Sequence, residues 1–175
     1  YRHRLLRCPT DEDGQQRLAD SMGFDRCGVS DRMGWRIESG PHIGRWVADR
    51  IDGGLTERST AIGLIKNERI VAGIIYENWN GQSLMAHIAA EGRFTPAYVG
   101  AIFDYAYNVC NVHKTIVPVW STNIRSANMV KKMGFTEEAR IKDGCPNGDI
   151  IIYTLKKADC RFLGDKYGKK YTSSA

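Results

Sequence analysis

Residues 83–135 decide the fold of this chain: SLMAHIAAEGRFTPAYVGAIFDYAYNVCNVHKTIVPVWSTNIRSANMVKKMGF. The apolar run SLMAHIAA predicts a buried strand, the polar EGRFTP a tight loop, and AYVGAIFDYAYNVC an amphipathic helix. The segment KTIVPVW predicts a second strand, and a short helix that stops at Gly134 and Phe135 follows it. Backbone amides that open a helix after a strand form a ready anion site, so we expect one at EGRFTP.

The two helices of this stretch have clear start and packing signals. Thr95 is a favoured N-cap, and Pro96 suits the first helical position. Helical spacing places five residues on the buried face of the first helix: Val99, Ile102, Phe103, Ala106 and Cys110. Four residues form the inner face of the second helix: Ser126, Met129, Val130 and Met133.

Strand signals lie on both sides of this stretch. Upstream, WRIES at 35–39 predicts a first strand, and runs over 60–66, 69–77 and 83–90 predict an antiparallel meander with a turn at Asn80-Gly81. The last two runs are apolar on both faces, which places them centrally with helices on both sides. Pro118 cannot donate a ladder hydrogen bond, so KTIVPVW lies either at an edge or where the sheet splays. Downstream, EEARIK and DIIIYTL form a hairpin around DGCPNG.

Two more helices are predicted before the meander. One begins at Thr10 and ends at Gly23, and the other begins at Pro41 and stops at Gly53-Gly54. The second helix has one apolar face: Ile43, Trp46, Val47 and Ile51. The order of elements predicts an α+β fold. It has a mixed, mostly antiparallel sheet flanked by helices on both faces, with one parallel crossover through the helix at 96–110.

The composition is that of an ordinary globular domain. The 175 residues are 42% hydrophobic and 26% charged, which excludes a disordered chain and allows one substantial core. No apolar run approaches the ~20 residues of a membrane span and no signal-peptide pattern is present, so we expect a cytoplasmic location and no membrane partner. The five cysteines are widely spaced, which favours reduced thiols over disulfides or a zinc site, and no metal is expected.

Basic residues gather at both ends of the chain, within a formal net charge of +5. They are Arg2, Arg4 and Arg7 at the start, and Lys166, Lys169 and Lys170 at the end. No known binding motif accompanies them. The pattern therefore favours solvated termini over a nucleic-acid surface.

The block WSTNIRSANMVKKMGF, within this order of elements, resembles the GCN5-related N-acetyltransferase (GNAT) superfamily. The matching residues are Asn123, Ser126, Met129, Val130 and the pair Gly134-Phe135, followed by EARIKDG. The resemblance covers about residues 33–158, which leaves 1–32 as an N-terminal extension and 159–175 as a basic C-terminal tail. The longer block from GRFTP to KKMGF looks most like the branch that acetylates protein N-termini and related amines, and like acetyltransferase-like proteins carried by bacteriophages.

The resemblance implies transfer of an acetyl group from acetyl-CoA to a primary amine, by direct attack in a ternary complex. It implies that coenzyme A contacts nine residues: Ile88, Ala89, Ala90, Gly92, Arg93, Phe94, Thr95, Asn123 and Ser126. The family's pyrophosphate loop usually reads Q/R-x-x-G-x-G/A, whereas this loop has one glycine, Gly92. Backbone amides make most pyrophosphate contacts, and Arg93 adds a charge-assisted one. An amine acceptor is the implied second ligand, and a homodimer is one expected assembly.

Amide formation needs a base, because an amine is charged at neutral pH. His87, polar within an apolar strand, is the first candidate, and the alternative is a core histidine bonded to a backbone carbonyl. Glu77 is the second, either as a base through water or as a ligand for a cationic substrate, and the alternative is an exposed hairpin carboxylate. Glu91 is expected to be solvated.

Other side chains have auxiliary roles under the same resemblance. Val130 stands where the family often has a tyrosine acid, so the thiolate leaves unaided or with help from Ser126 or Tyr153. Asn123 either contacts the pantetheine or caps the helix, and both roles are compatible. Tyr76 and Trp79 wall the acceptor pocket, unless Trp79 is partly buried in the core.

A second hypothesis is a catalytically silent protein that keeps the fold as a binding or assembly module. Its partner would be a protein, a virion or a nucleic acid. The single-glycine loop and the absent tyrosine favour this alternative.

Overall fold

Seven strands form one mixed sheet in the computed structural model, which describes residues 34–51, 55–56, 58–163 and 167. The strands are β1 Trp35–Ser39, β2 Thr60–Lys66, β3 Arg69–Glu77, β4 Ser83–Ala90, β5 Lys114–Trp120, β6 Thr136–Cys145 and β7 Gly148–Lys156. The helices are α1 Pro41–Ala48, α2 Pro96–Asp104 and α3 Ile124–Lys132. A π-helical turn, Tyr105–Val109, continues α2, and a 3₁₀ turn, Lys157–Asp159, follows β7.

The strand order is β1-β2-β3-β4-β5-β7-β6. Every neighbouring pair is antiparallel except β4 and β5, which run parallel and are joined through α2. The predicted fold class is confirmed, including the single parallel crossover. The bounds of the first five strands also match the predicted ranges.

The β6–β7 hairpin differs from the prediction. Only Pro146 and Asn147 separate the two strands, so the interpretation of DGCPNG as a six-residue turn is wrong. The register shifts between Ile141 and Cys145, and Asp143 has a φ of 52°. This bulge absorbs the extra residues within the strand, because a bulged strand sets two residues against one of its partner.

Helix α1 covers one face of the sheet at close range. A Cβ at Gly73 would lie 2.4 Å from Val47 Cγ2, and one at Gly63 would lie 2.5 Å from Ile43 Cδ1. Two strand glycines therefore allow the helix to approach the backbone of the sheet. The helix ends at Ala48, which is earlier than predicted, and Ile51 lies beyond it.

Helices α2 and α3 cover the opposite face and enclose the larger core. Thr95 caps α2 as predicted, since its Oγ1 accepts from the amide of Tyr98 at 3.1 Å. The predicted buried face is only partly correct, because Val99 is half-buried. Three tyrosines that the spacing omitted are fully buried: Tyr98, Tyr105 and Tyr107. The π-helical turn changes the periodicity at Tyr105 and Tyr107, and a simple helical pattern does not anticipate it.

Several predictions fall outside the described residues. They include the helix from Thr10 to Gly23, the stop at Gly53-Gly54 and the basic residues at both ends of the chain. Across the part that the structure describes, no helix has the length and apolar character that a membrane crossing requires.

Candidate active site

The sheet opens between β4 and β5. These strands pair only between Ser83–Met85 and Lys114–Ile116. Strand β5 pairs with β7 along its whole length, and Pro118 lies opposite Ile152. Of the two alternatives for Pro118, the structure therefore shows a splayed sheet rather than an edge. We call the opening bounded by residues 86–90 and 117–120 the β4–β5 split.

Backbone polar groups of β4 face this split. The amide of Glu91 donates to the carbonyl of Val71 at 2.9 Å. Together with the register of the two strands, this bond shows which residues of β4 direct their backbone groups toward β3. In an antiparallel pair, alternate residues direct their N–H and C=O groups away from the partner strand. Three residues therefore direct these groups into the split: Ala86, Ile88 and Ala90. Ala89 directs its groups to β3 instead.

The loop after β4 uses two of its own amides internally. The amides of Glu91 and Gly92 both donate to the carbonyl of Val71, at 2.9 and 3.1 Å. A Cβ on Gly92 would lie 3.3 Å from Val71 Cβ, so this glycine permits close contact with β3. Within the described residues, the amides of residues 93–95 and of Ala97 have no partner. Of the amides in the predicted anion site, those of residues 93–95 and 97 are therefore free, and the amide of Gly92 is not.

Glu91 is exposed, as expected, and it also forms an ion pair. Its carboxylate lies 2.7 Å from the guanidinium of Arg50, although 57% of its side chain is exposed. The same guanidinium stacks over the ring of Trp46 at 3.9 Å. Arg93 is exposed, and no residue in the described ranges binds its side chain. The loop therefore presents one positive charge beside a neutralised carboxylate.

The start of α3 lies on the other side of the split. Asn123 caps this helix, because its Oδ1 accepts from the amide of Ser126 at 3.0 Å. Ser126 is half-buried, and its hydroxyl makes no hydrogen bond to the rest of the described chain. Arg125, which the sequence analysis missed, donates from Nη2 to the carbonyl of Ala90 at 3.2 Å. Nothing in its sequence context distinguishes it from any exposed helical arginine.

His87 and Glu77 form a pair on the face that α1 covers. The His87 Nε2 and Glu77 Oε1 atoms are 2.9 Å apart, and the side chains are 24% and 19% exposed. His87 lies opposite Ile75, and Glu77 opposite Met85, so the two residues are diagonal neighbours in the ladder. The structure thus brings together the two acid–base residues that were predicted independently. The ring has a second nitrogen, Nδ1, that this contact does not use.

Tyr76 and Trp79 do not lie beside this pair. The hydroxyl of Tyr76 donates to the carbonyl of Ile102 at 2.7 Å, and burial raises the pKa of Tyr76 well above its usual range. Trp79 donates from Nε1 to the carbonyl of Cys110 at 2.9 Å and packs against the larger core. Both residues pack toward the α2 face of the sheet, opposite to His87. Tyr76 is therefore a core residue, and Trp79 shows the partial core burial that was its alternative.

An apolar surface continues from His87 across the split on the same face. Met85 pairs with Ile116 in parallel register, so alternate residues of β5 share the face of His87. The half-buried residues that form this apolar surface on β5 and β7 are Ile116, Pro118, Trp120, Ile150 and Ile152. Side chains alternate between the two faces along KTIVPVW, and this alternation is the sequence signal for the β5 residues of the surface.

Two other residues with predicted roles lie in the core. Tyr153 is 1% exposed, and the ammonium of Lys131 lies 5.8 Å from its ring centroid. Cys110 is buried at the end of the π-helical turn, as expected of a packing residue. Neither residue is placed on the face of the His87–Glu77 pair.

Comparison with known proteins identifies the fold. No family model matches the chain, and no curated protein matches it either. A solved dodecameric spermidine N-acetyltransferase from Vibrio cholerae superposes with a TM-score of 0.60 at 12% identity, over 75% of this chain and 97% of that chain. The structure of the enzyme from that organism in complex with CoA and spermine gives a TM-score of 0.53 at 17% identity, over 62% and 70%.

The chain has a GNAT-like fold. Its mixed sheet and its single parallel pair agree with the predicted fold class. At such low identity the likeness establishes the fold alone, and function has to be argued from the site.

Proposed function

We propose that this chain transfers an acetyl group from acetyl-CoA to a primary amine, by direct attack in a ternary complex. The observation that carries this proposal is the β4–β5 split, with the His87–Glu77 pair on the strand that forms one of its walls. The split offers unpaired backbone groups to an extended ligand, and the pair offers a base beside that ligand.

The residues present fit coenzyme A. The pantetheine arm carries two amides, which can extend the β4 ladder at Ala86, Ile88 and Ala90 as an added strand does. The amides of residues 93–95 and 97, at the start of α2, suit the pyrophosphate. We do not propose backbone hydrogen bonds from Ala89 or Gly92 to coenzyme A. The backbone groups of Ala89 face β3, and the amide of Gly92 is bonded to the carbonyl of Val71. Asn123 acts through the helix cap.

The bound thioester supplies an activated acyl carbon. The amine nitrogen forms a bond to that carbon, the carbon–sulfur bond breaks, and the CoA thiolate leaves. Glu77 holds Nε2 of His87, so the Nδ1 atom is the base that takes the amine proton. The carboxylate of Glu77 stabilises the imidazolium that results, as a carboxylate does in other acid–base pairs.

Two further groups of this chain have proposed roles. The N–H groups of β4 that face the split are positioned to stabilise the negative charge that develops on the carbonyl oxygen. Ser126, whose hydroxyl makes no hydrogen bond within the described residues, is proposed to donate a hydrogen bond to the departing thiolate. The thiolate then takes a proton from solvent, and His87 releases the amine proton to solvent.

The acceptor is proposed from the resemblance of the 92–135 block to the branch that acetylates protein N-termini and related amines. The structural neighbour that was solved with spermine suggests polyamines as a second class to test. The domain limits proposed for this activity remain 33–158, with the segments 1–32 and 159–175 as extensions.

Calorimetry with CoA and acetyl-CoA tests the first half of the proposal, and we expect binding in the micromolar range. Absence of binding at millimolar ligand would disprove it. Mass spectrometry of acetylated products, over peptides with free N-termini and over polyamines, tests the second half. Binding without turnover of any amine would favour the silent binding module over an enzyme.

A further inference from the structure

Arg125 bridges the two sides of the β4–β5 split. It is the second residue of α3, and its guanidinium donates to the carbonyl of Ala90, the last residue of β4. The alternating hydrogen-bond pattern between β3 and β4 means that this carbonyl points into the split. The contact therefore joins β4 and α3 where β4 and β5 no longer pair.

The charge of Arg125 is not neutralised by any carboxylate among the described residues. Its one hydrogen bond goes to a neutral carbonyl, and a guanidinium has five N–H donors, so most of them remain available. The nearest loop carboxylate, Glu91, is already paired with Arg50 at 2.7 Å. Arg93 and Arg125 thus give this end of the split a net positive charge.

Part of the backbone at this end of the split is already hydrogen-bonded and is not available to an anion. The first two amides of the loop are bound to the carbonyl of Val71. Arginine binds phosphate oxygens through two parallel N–H groups, which makes it an effective substitute for missing amides. A cation at this position is therefore expected to contribute more to phosphate binding than it would beside a glycine-rich loop.

We propose that Arg125 is a ligand for the pyrophosphate of coenzyme A, and that its bond to Ala90 is exchanged for phosphate when the ligand binds. The exchange frees the Ala90 carbonyl to accept a hydrogen bond from an amide of the ligand. This inference rests on the proposed function, because it concerns the same ligand and the same split.

Calorimetry on Arg125→Gln, Arg125→Lys and the wild type, with three ligands, tests the proposal. We expect Arg125→Gln to weaken CoA binding about 10- to 100-fold, the usual effect of losing a charge-assisted hydrogen bond. Arg125→Lys retains the charge and loses the paired donors, so its loss is smaller. Dephospho-CoA, which keeps the pyrophosphate, shows the same loss as CoA. Pantetheine has no phosphate, so its affinity for Arg125→Gln is expected to equal or exceed its affinity for the wild type.

Lys132→Gln is the matched control, because it removes one exposed positive charge from the other end of α3. Its CoA affinity is expected to remain within twofold of the wild type. Equal losses in Arg125→Gln and Lys132→Gln would indicate general electrostatics and would overturn the proposal. An unchanged CoA affinity in Arg125→Gln would overturn it as well. If the wild type binds no CoA, the proposed function itself is wrong, and this outcome is distinct from the other two.

Discussion

The His87–Glu77 pair is best tested by a double-mutant cycle on the rate of acetyl transfer. The four proteins are the wild type, His87→Ala, Glu77→Gln and the double variant. Glutamine preserves the size of Glu77 and a hydrogen-bond acceptor, and removes only its charge. The rate is measured from release of the CoA thiol at saturating acetyl-CoA, with the acceptor that the product screen identifies.

The expected magnitudes follow from the geometry of the pair. The two side chains are 2.9 Å apart, and each is less than one quarter exposed. A hydrogen bond with an ionised partner contributes roughly 1.5–3 kcal/mol, and about 1.4 kcal/mol corresponds to a tenfold rate. We therefore expect Glu77→Gln to lower kcat about 10- to 150-fold. Loss of the base in His87→Ala lowers kcat about 100- to 10,000-fold.

The double variant decides whether the two residues act together. Glu77 is proposed to act through His87, so the double variant should be no slower than His87→Ala alone. Multiplicative losses would show that Glu77 acts independently, for example by binding a cationic acceptor, and would refute the assigned roles. Glu38→Gln, an ion-paired carboxylate on the distant strand β1, is the control and should retain the wild-type rate.

Three further predictions concern stability. Asn123→Ala removes the cap of α3 and should lower the free energy of unfolding by about 1 kcal/mol in urea denaturation. Tyr98→Phe removes a buried 2.9 Å hydrogen bond to the carbonyl of Ile62; we expect a loss of about 1–2 kcal/mol in the same assay with little change in activity. Hydrogen bonds from Lys114 and Thr154 hold the pKa of Glu138 below its usual 4.5, so its stabilising effect is complete above that pH and is lost as the pH falls through the lower, folded-state value. Glu138→Gln should therefore lower Tm at pH 7 but not in strong acid, and an equal shift at both pH values would contradict this assignment.

The fold was largely predictable because its main signals are local. Strand limits follow from apolar runs bounded by turn residues, and the Thr95 cap follows from side-chain chemistry that needs no tertiary context. The bulge in β6 and the π-helical turn after α2 were not predicted. Both change the register of side chains without a distinctive residue pattern, and the neighbouring strand or core decides where they form.

The candidate site was predicted less completely than the fold, for a geometric reason. His87 and Glu77 are ten residues apart in the chain, and only the register of a two-stranded ladder places them within 2.9 Å. Tyr76 is adjacent to Glu77 in sequence and lies on the opposite face, because side chains alternate along a strand. The prediction that placed both residues near one site did not take this alternation into account.

If the chain binds coenzyme A as proposed, the structure explains why the loop EGRFTP differs from the glycine-rich pattern. The first two amides of the loop donate to the carbonyl of Val71, and these hydrogen bonds hold the end of β4 against β3 beside the split. Glu91 is paired with Arg50, which follows α1, and this pair offsets the negative charge that would oppose a phosphate. The remaining amides lie at the start of α2, and two arginines, Arg93 and Arg125, stand on either side of the opening. An anion site built in this way combines free backbone amides with the charge of two arginine side chains. Its affinity for CoA should therefore fall more steeply with added salt than that of a site formed mainly by glycine amides.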